Sequence, residues 1–497
     1  MSEKSKMTRR EMLQSAVLLA AAQPAHAALG LGEGQPEQKP AAPHAAHSDK
    51  RPNIIFIIAD DMRHDDMSCV GHPFGKTPNL DRLAREGVLF RNARCTTPLC
   101  SPARASVLTG LYAHSHMIVN NDRNGESEIS HRLPTFPRIL YNQGYETAQI
   151  GKYHMGFDDT ARPGYEHWIS FKAVGLYENN QFNINGQRLQ HRGNTTNFLN
   201  EAAVKFIKQP HDRPFLLYIG EKVPHKPYIP APQHEGLYKD AEFDQPAVPP
   251  GDREGKPALT RNVEHPDMLR AIGVTPEPQE SPRGRPNDLA SVARDRARCV
   301  NGLDDGLGMI YKALEESGQL DNTMIICTSD HGYLLGEHGV KEEKRWAWEP
   351  AVRVPLVMRY PKLIPPGSIR EQDVLNIDIA PTVLELAGVQ SPVPMHGKSL
   401  VPIFASADAH LRDAFLTESF LETYVPEVPD WQCVRRGNWK YIHYPTVEGA
   451  DELYDLTADP REVHNVIGDA GNGETVRALQ QELARLLDET QTNMLMV

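Results

Sequence analysis

The chain has 497 residues, with 53 Lys+Arg against 65 Asp+Glu for a net charge of −12, and 40% of it is apolar. That apolar supply excludes wholesale disorder, and the length suits one large domain with a lesser one. The acidic balance argues against a nucleic-acid binder, no apolar run reaches the ~18 residues of a membrane span, and six cysteines are too few for a disulfide scaffold.

Thr8-Arg9-Arg10-Glu11-Met12-Leu13 reads as a twin-arginine export signal. An apolar stretch, Ala16 to Ala22, and a small-residue cleavage site, Ala25-His26-Ala27, follow it. Residues 1–27 hold four basic and two acidic residues, so cleavage after Ala27 leaves 470 residues at −14. Capture of an anionic substrate would then depend on local cations, not on the overall field. Residues 28–50, rich in Pro, Ala, Gly and His, read as a flexible linker. The expected location is the periplasm or the medium.

From residue 51 to about 400, apolar strands alternate with helices. Ile54–Ala59 is a continuous β-branched run, as expected of a strand buried on both faces, and it ends at Asp60-Asp61. Thr77 and Pro78 open a helix as N-cap and first residue, with Leu80, Leu83 and Ala84 on its apolar face and Gly87 as its stop. Pro102 sets the first turn of a second helix, which runs to about Leu111. Tyr145–Ile150 is a strand ending in Gly151-Lys152-Tyr153-His154, and Phe215–Ile219 another, followed by Val223-Pro224-His225. A helix near residues 288–317 precedes the strand Thr323–Thr328, which runs into Ser329-Asp330-His331. Val354–Arg359 is a later strand.

This pattern predicts an α/β fold with a large, mostly parallel sheet sandwiched by helices. Ligands in such sheets gather beyond the carboxyl ends of the strands. Asp60, Asp61, Lys152, His154, His225, Asp330 and His331 all fall there. Singly, each reads as a capping or surface residue; together they mark a site.

Thirteen of the 40 prolines lie between Pro224 and Pro286, which suggests long surface loops that shape specificity. Residues 401–497 read as a smaller α+β subdomain. Its expected parts are short antiparallel strands at Leu416–Ser419, Gln432–Arg436 and Lys440–Tyr444 and an amphipathic helix at Val476–Leu487.

Adjacent Asp60 and Asp61 repel unless a cation sits between them. With Asp330 they suit a hard cation, Ca²⁺ or Mg²⁺, and His331 adds a nitrogen ligand. Cys100 sits at the positive end of its helix, with Arg104 one turn on.

The stretch Cys100-Ser101-Pro102-Ala103-Arg104-Ala105-Ser106-Val107-Leu108-Thr109-Gly110, together with PNIIFIIADDM, GKYHMG, VPHKPY, TSDHGYLLGEHG and ELYDLTADPREVHN, resembles the type I sulfatases. These are formylglycine-dependent members of the alkaline phosphatase-like superfamily. The resemblance runs from about Pro52 to Val466. It implies that a formylglycine-generating enzyme oxidises Cys100 to Cα-formylglycine, and that Asp60, Asp61, Asp330, His331 and the modified Cys100 hold one Ca²⁺. It implies Arg104, Lys152 and His154 around the formylglycine, and His225 and Lys344 on the substrate sulfate. Many members carry Asn where this chain has His331. The stretch Gly339–Arg345 is about one residue longer than the family expects, so Lys341 rivals Lys344.

The implied chemistry is sulfate ester hydrolysis. A hydrated aldehyde supplies two hydroxyls on one carbon: one attacks sulfur, and the other loses its proton, to His154, to expel sulfate. His225 or Lys344 protonates the leaving oxygen. The same superfamily holds phosphonate and phosphate ester hydrolases, which stand as the alternative. His114-Ser115-His116-Met117-Ile118-Val119-Asn120-Asn121-Asp122 is similar to the matching stretch of N-acetylglucosamine-6-sulfatases, so the substrate expectation is a sulfated carbohydrate.

Overall fold

A computed structural model describes residues 51–121, 126–263, 288–423 and 425–491. The expected signal peptide and linker, Asp122, and the later part of the proline-rich span lie outside the described residues.

The main sheet has ten strands. In chain order they are β1 (Asn53–Ala59), β2 (Val88–Phe90), β3 (Glu146–Gly151), β4 (His167–Ser170), β5 (Gln181–Ile184), β6 (Gln187–Gln190), β7 (Phe215–Gly220), β8 (Thr323–Ser329), β9 (Leu356–Arg359) and β10 (Ser368–Arg370). Across the sheet the order is β10-β2-β9-β8-β1-β7-β3-β4-β5-β6. The five strands from β8 to β4 are mutually parallel. β9 runs antiparallel to β8 and β2, and β5–β6 is an antiparallel edge hairpin.

Period-2 geometry explains why β1 carries no polar residue between Ile54 and Ala59. Ile54, Phe56 and Ile58 enter one core, while Ile55, Ile57 and Ala59 enter the other. The first core takes in helix Cys100–Thr109 and the second takes in helices Pro78–Glu86, Thr195–Ile207 and Leu289–Glu316. Every residue of β1, β7 and β8 is buried.

The helix at Pro78 starts where expected, but Thr77 does not cap it through its side chain. Its hydroxyl is engaged by Ser68 and Asp81. Asp304 of the Leu289–Glu316 helix caps it instead, its carboxylate accepting the amides of Asn79 at 3.0 Å and Leu80 at 2.8 Å. A buried carboxylate from across the core satisfies both orphan donors at once.

A four-stranded antiparallel sheet follows, Ala414–Ser419, Trp431–Arg436, Trp439–His443 and Glu452–Asp455, one strand more than the sequence pattern predicts. Val434, Tyr441 and Leu453 pack under the terminal helix Gly473–Glu489 with Leu479 and Leu483. Their alternate neighbours Cys433, Ile442 and Tyr454 join the first core of the main sheet. Both faces of the small sheet are therefore covered, which ties it to the catalytic half.

Candidate active site

Strand ends assemble the site. Asp60 and Asp61 leave β1, Lys152 and His154 leave β3, His225 lies beyond β7, and Asp330 and His331 leave β8. Two glycines let β3 and β7 close together there: a Cβ on Gly151, at φ +98°, would meet the Gly220 carbonyl at 2.1 Å, and one on Gly220 would meet that of Lys152 at 2.0 Å. Larger residues at either position would push Lys152 away from Asp60.

Cys100 opens its helix, every residue of which is buried. Asn121 Oδ1 accepts the Ser101 amide at 2.9 Å, and Gly110, at φ +70°, closes the last turn onto Ser106. The thiol therefore sits at a fixed helix N-terminus. Lys344 Nζ donates to Cys100 Sγ at 3.2 Å and to Asp61 Oδ1 at 2.8 Å. His331 Nε2 is 3.5 Å from Sγ, which itself lies 3.6 Å from Asp60 Oδ1. Burial alone would push the thiol up; the Lys152 and Lys344 ammoniums outweigh it and bring it down to about 5.

Lys152 Nζ meets Asp60 Oδ2 at 2.5 Å, with both side chains fully buried. Burial would raise both aspartates, yet Lys152 holds Asp60 and Lys344 holds Asp61 well below the usual carboxylate range. Asp330 goes the other way, pushed up to about 6 by burial, with the charge of Asp60 adding to it. Ligand atoms from Asp60, Cys100, Asp330 and His331 lie within 4.8 Å of one another, as do those of Asp60, Asp61, Cys100 and His225. Crowded, buried carboxylate oxygens of this kind fit a hard divalent cation.

Arg104 Nε donates to Asp330 Oδ2 at 3.0 Å and Nη1 to the Lys152 carbonyl at 3.0 Å, so its hydrogen bonds orient the acidic cluster while its charge acts on the Cys100 thiol. His154 is buried at φ +51°, and its carbonyl accepts from Ser101 Oγ at 2.6 Å. Burial and Lys152 lower its ring well below the usual imidazole range, and Nδ1 has no hydrogen-bond partner among the described residues. His225 Nε2 stands 3.9 Å from Asp61 Oδ2, and burial lowers it to about 4. Of the two candidate lysines, Lys344 enters the site, whereas Lys341 is exposed.

Sequence reasoning missed three participants. Lys222 is buried, donates to the Val174 carbonyl at 3.0 Å, and is lowered to about 8 by burial. It stands immediately before the VPHKPY stretch that flagged His225. Arg296 Nη2 donates to the Asp61 carbonyl at 2.7 Å, bracing a residue at φ +68°. Glu422, from the C-terminal half, accepts the Asn121 amide at 3.0 Å and pairs with Arg345. Arg296 sits 235 residues from Asp61 and Glu422 301 from Asn121, so no local pattern announces them.

The His114 segment is a brace. His114 Nδ1 meets Glu418 at 2.9 Å, Ser115 Oγ donates to the Thr490 carbonyl at 2.5 Å, and His116 Nε2 meets Ser106 Oγ at 3.0 Å. It ties the nucleophile helix to the small sheet and the terminal helix.

The profile of the sulfatase family matches residues 52–389, and that of the N-sulphoglucosamine sulphohydrolase C-terminal region matches 336–489. The N-acetylglucosamine-6-O-sulfatase of Bacteroides thetaiotaomicron is 32% identical, covering 89% of this chain and 86% of that protein. Human N-acetylglucosamine-6-sulfatase is 28% identical over 84% of this chain and 81% of its own. A solved complex with its substrate D-glucosamine-2-N,6-O-disulfate superposes at a TM-score of 0.76 with 30% identity, covering 89% of this chain and 98% of that one. The phosphonate monoester hydrolase of Agrobacterium radiobacter shares the fold at a TM-score of 0.71 and 23% identity, covering 88% and 96%. A profile match across most of the chain, on the elements that build this sheet edge, makes the protein a member of the sulfatase family and a sulfuric ester hydrolase.

Proposed function

We propose that the enzyme removes sulfate from sulfated carbohydrates, with 6-sulfated N-acetylglucosamine units as its main target. The observation that carries this reading is Cys100 Sγ held 3.2 Å from Lys344 Nζ beside the buried Asp60–Asp61–Asp330 cluster. The names of two relatives, the Bacteroides thetaiotaomicron and human enzymes, support the sugar and its position. Cys100 would be the site of formylglycine, and the carboxylates with His331 would hold one Ca²⁺. The modified residue would supply a geminal diol, and the cation Lewis-acid polarisation beside it.

The chain's own residues do the rest. Lys152 and Lys344 bring positive charge to the sulfuryl oxygens as charge shifts onto them. Arg104 fixes Asp330, and thereby the geometry of the acidic cluster. His154, held neutral by burial and with no hydrogen-bond partner on Nδ1 among the described residues, accepts a proton. His225 or Lys344 delivers one to the leaving oxygen. A panel of sulfated monosaccharides and glycosaminoglycan disaccharides, run beside phosphate and phosphonate esters on one preparation, tests the reading. The expected result is preference for 6-O-sulfated glucosamine derivatives; faster turnover of phosphonate esters would favour the other branch of the fold.

Lys344→Ala should lower kcat/KM about 10²- to 10³-fold, the loss typical of one transition-state charge partner. Lys341→Ala should leave it within a factor of two, on the order of an ordinary surface substitution. Equal losses would remove Lys344 from the mechanism.

Export by the twin-arginine route completes the proposal. That route carries folded chains, whereas Cys100 is fully buried once folded, so modification precedes export. Replacing Arg9 and Arg10 together by Lys keeps the charge. The variant should accumulate in the cytoplasm, modified and active. Active variant in the periplasm at the usual level would defeat the twin-arginine assignment and leave the sulfatase reading intact.

A further inference from the structure

A second cleft, of about 470 Å³, includes neither Cys100 nor any of the candidate metal ligands and meets that site through Arg296, which braces Asp61. Its volume is that of a small-molecule pocket. Arg296, only 1% exposed, lines it together with the partly buried His64 and Arg353. His72, Phe243 and Asp244 line its more open part.

Arg296 commits Nη2 to the Asp61 carbonyl at 2.7 Å and to Asp66 at 3.1 Å, and its guanidinium lies over the rings of Tyr228 and Tyr333. Its Nε and Nη1 have no hydrogen-bond partner among the described residues, and neither does His64 Nδ1. Buried polar groups are almost always paired, so donors left open toward a cleft point to a ligand that brings acceptors.

Charge narrows the class. The deep carboxylates are already answered: Asp66 by Arg296 and the Arg63 amide, Asp252 by Lys256 and His338, and Glu349 by Arg94 and Lys440. A metal ion therefore finds no open ligand set. Six Asp/Glu line the cleft against four Arg, a formal excess of two negative charges, which opposes a multiply charged anion. A neutral polyol meets both conditions. Its oxygens accept from the buried guanidinium and imidazole groups. Its hydroxyl hydrogens reach carboxylates such as Asp244, and its C–H face lies against the Phe243 ring.

We infer that this cleft binds a neutral sugar unit of a carbohydrate chain, at a site separate from Cys100. The inference asks nothing of Cys100 or of any sulfate group, so it stands or falls apart from the catalytic reading. Such a site would hold an unsulfated stretch of a glycan while another unit is processed.

The probe is triacetylchitotriose, an unsulfated neutral trisaccharide, titrated into the full-length protein by calorimetry with saturation-transfer NMR alongside. The expected result is millimolar binding that a Phe243→Ala/Asp244→Ala double variant weakens at least tenfold at an unchanged melting temperature. A second variant, Ala247→Trp, should block the cleft by bulk and give the same loss. Binding should persist in saturating N-acetylglucosamine-6-sulfate. Four results would overturn the inference: no binding by either method, binding that survives both variants, displacement by the sulfated sugar, or displacement by inorganic sulfate.

Discussion

Cys100→Ala should abolish sulfate ester hydrolysis, with kcat falling by at least about three orders of magnitude, as expected when a nucleophile is removed outright. The fold should survive, because the substitution removes only one sulfur atom from a helix whose every residue is buried. Cys100→Ser is the sharper experiment. It keeps an oxygen nucleophile at the helix N-terminus between Lys152 and Lys344, yet offers only one hydroxyl on its carbon. If a geminal diol turns the enzyme over, the Ser variant should release at most one equivalent of alcohol and stall. Steady turnover by Cys100→Ser at wild-type rates would refute the formylglycine assignment. The matching measurement is peptide mass: active wild type should carry a Cys100 peptide about 18 Da light, a product off the ordinary thiol oxidation ladder. The low position of this thiol, about 5, makes it chemically conspicuous even before modification. Thiolate-directed alkylation should therefore label whatever fraction stays unmodified and exposed to the reagent, ahead of the five other cysteines. Of those, Cys95, Cys299, Cys327 and Cys433 are pushed up by burial, and Cys69, though exposed, is also raised.

Much of this site was legible in the sequence for a simple reason. A strand buried on both faces must be apolar throughout, so its first polar residues mark its end. Asp60 follows such a run directly and Asp330 follows one through Thr328-Ser329, whereas Lys152 ends a strand with polar residues inside it, Glu146–Gly151; the parallel pairing of β1, β3, β7 and β8 puts those ends on one edge. The Cys100–Gly110 helix announced itself through local chemistry, with a proline in the first turn and a glycine just past the end. Elements at the margins were harder. β5 and β6 are four residues each, and every residue of β6 is exposed, so no apolar periodicity identifies it. β2 and β10 are three-residue strands recognised only through their partners. Long-range polar contacts leave no local trace at all. Asp304 caps a helix more than 200 residues earlier, and Arg296 braces Asp61 across a similar separation. Thr77 looked like a sufficient cap because propensity counts residue types and cannot see a competing carboxylate from another element.

Removing the divalent metal should lower thermal stability as well as abolish activity, and the stability loss should grow with pH. Three carboxylates meet where Asp330 is pushed up to about 6 by burial beside Asp60. In the metal-free chain Asp330 is raised above its ordinary value of 3.8. A raised acid favours the folded state fully below its unfolded value and loses that contribution as pH climbs through the folded one. Metal-free protein is therefore disadvantaged by this group between pH ~4 and ~6 and stays so above. Asp60 and Asp61 are depressed, so what they contribute is lost only in strong acid and does not differ between pH 5 and 7.5. A bound dication cancels the crowding and holds all three ionised. At a free concentration a hundred times its dissociation constant, it stabilises the fold by about 2.7 kcal/mol. The expected result is a gap in melting temperature between Ca²⁺-loaded and exhaustively chelated enzyme that is wider at pH 7.5 than at pH 5. Asp61→Ala should close the gap at both values and leave the variant inactive in excess Ca²⁺. Chelated protein, shown metal-free by elemental analysis, that melts with the loaded enzyme at pH 7.5 and retains turnover would remove the metal from this site.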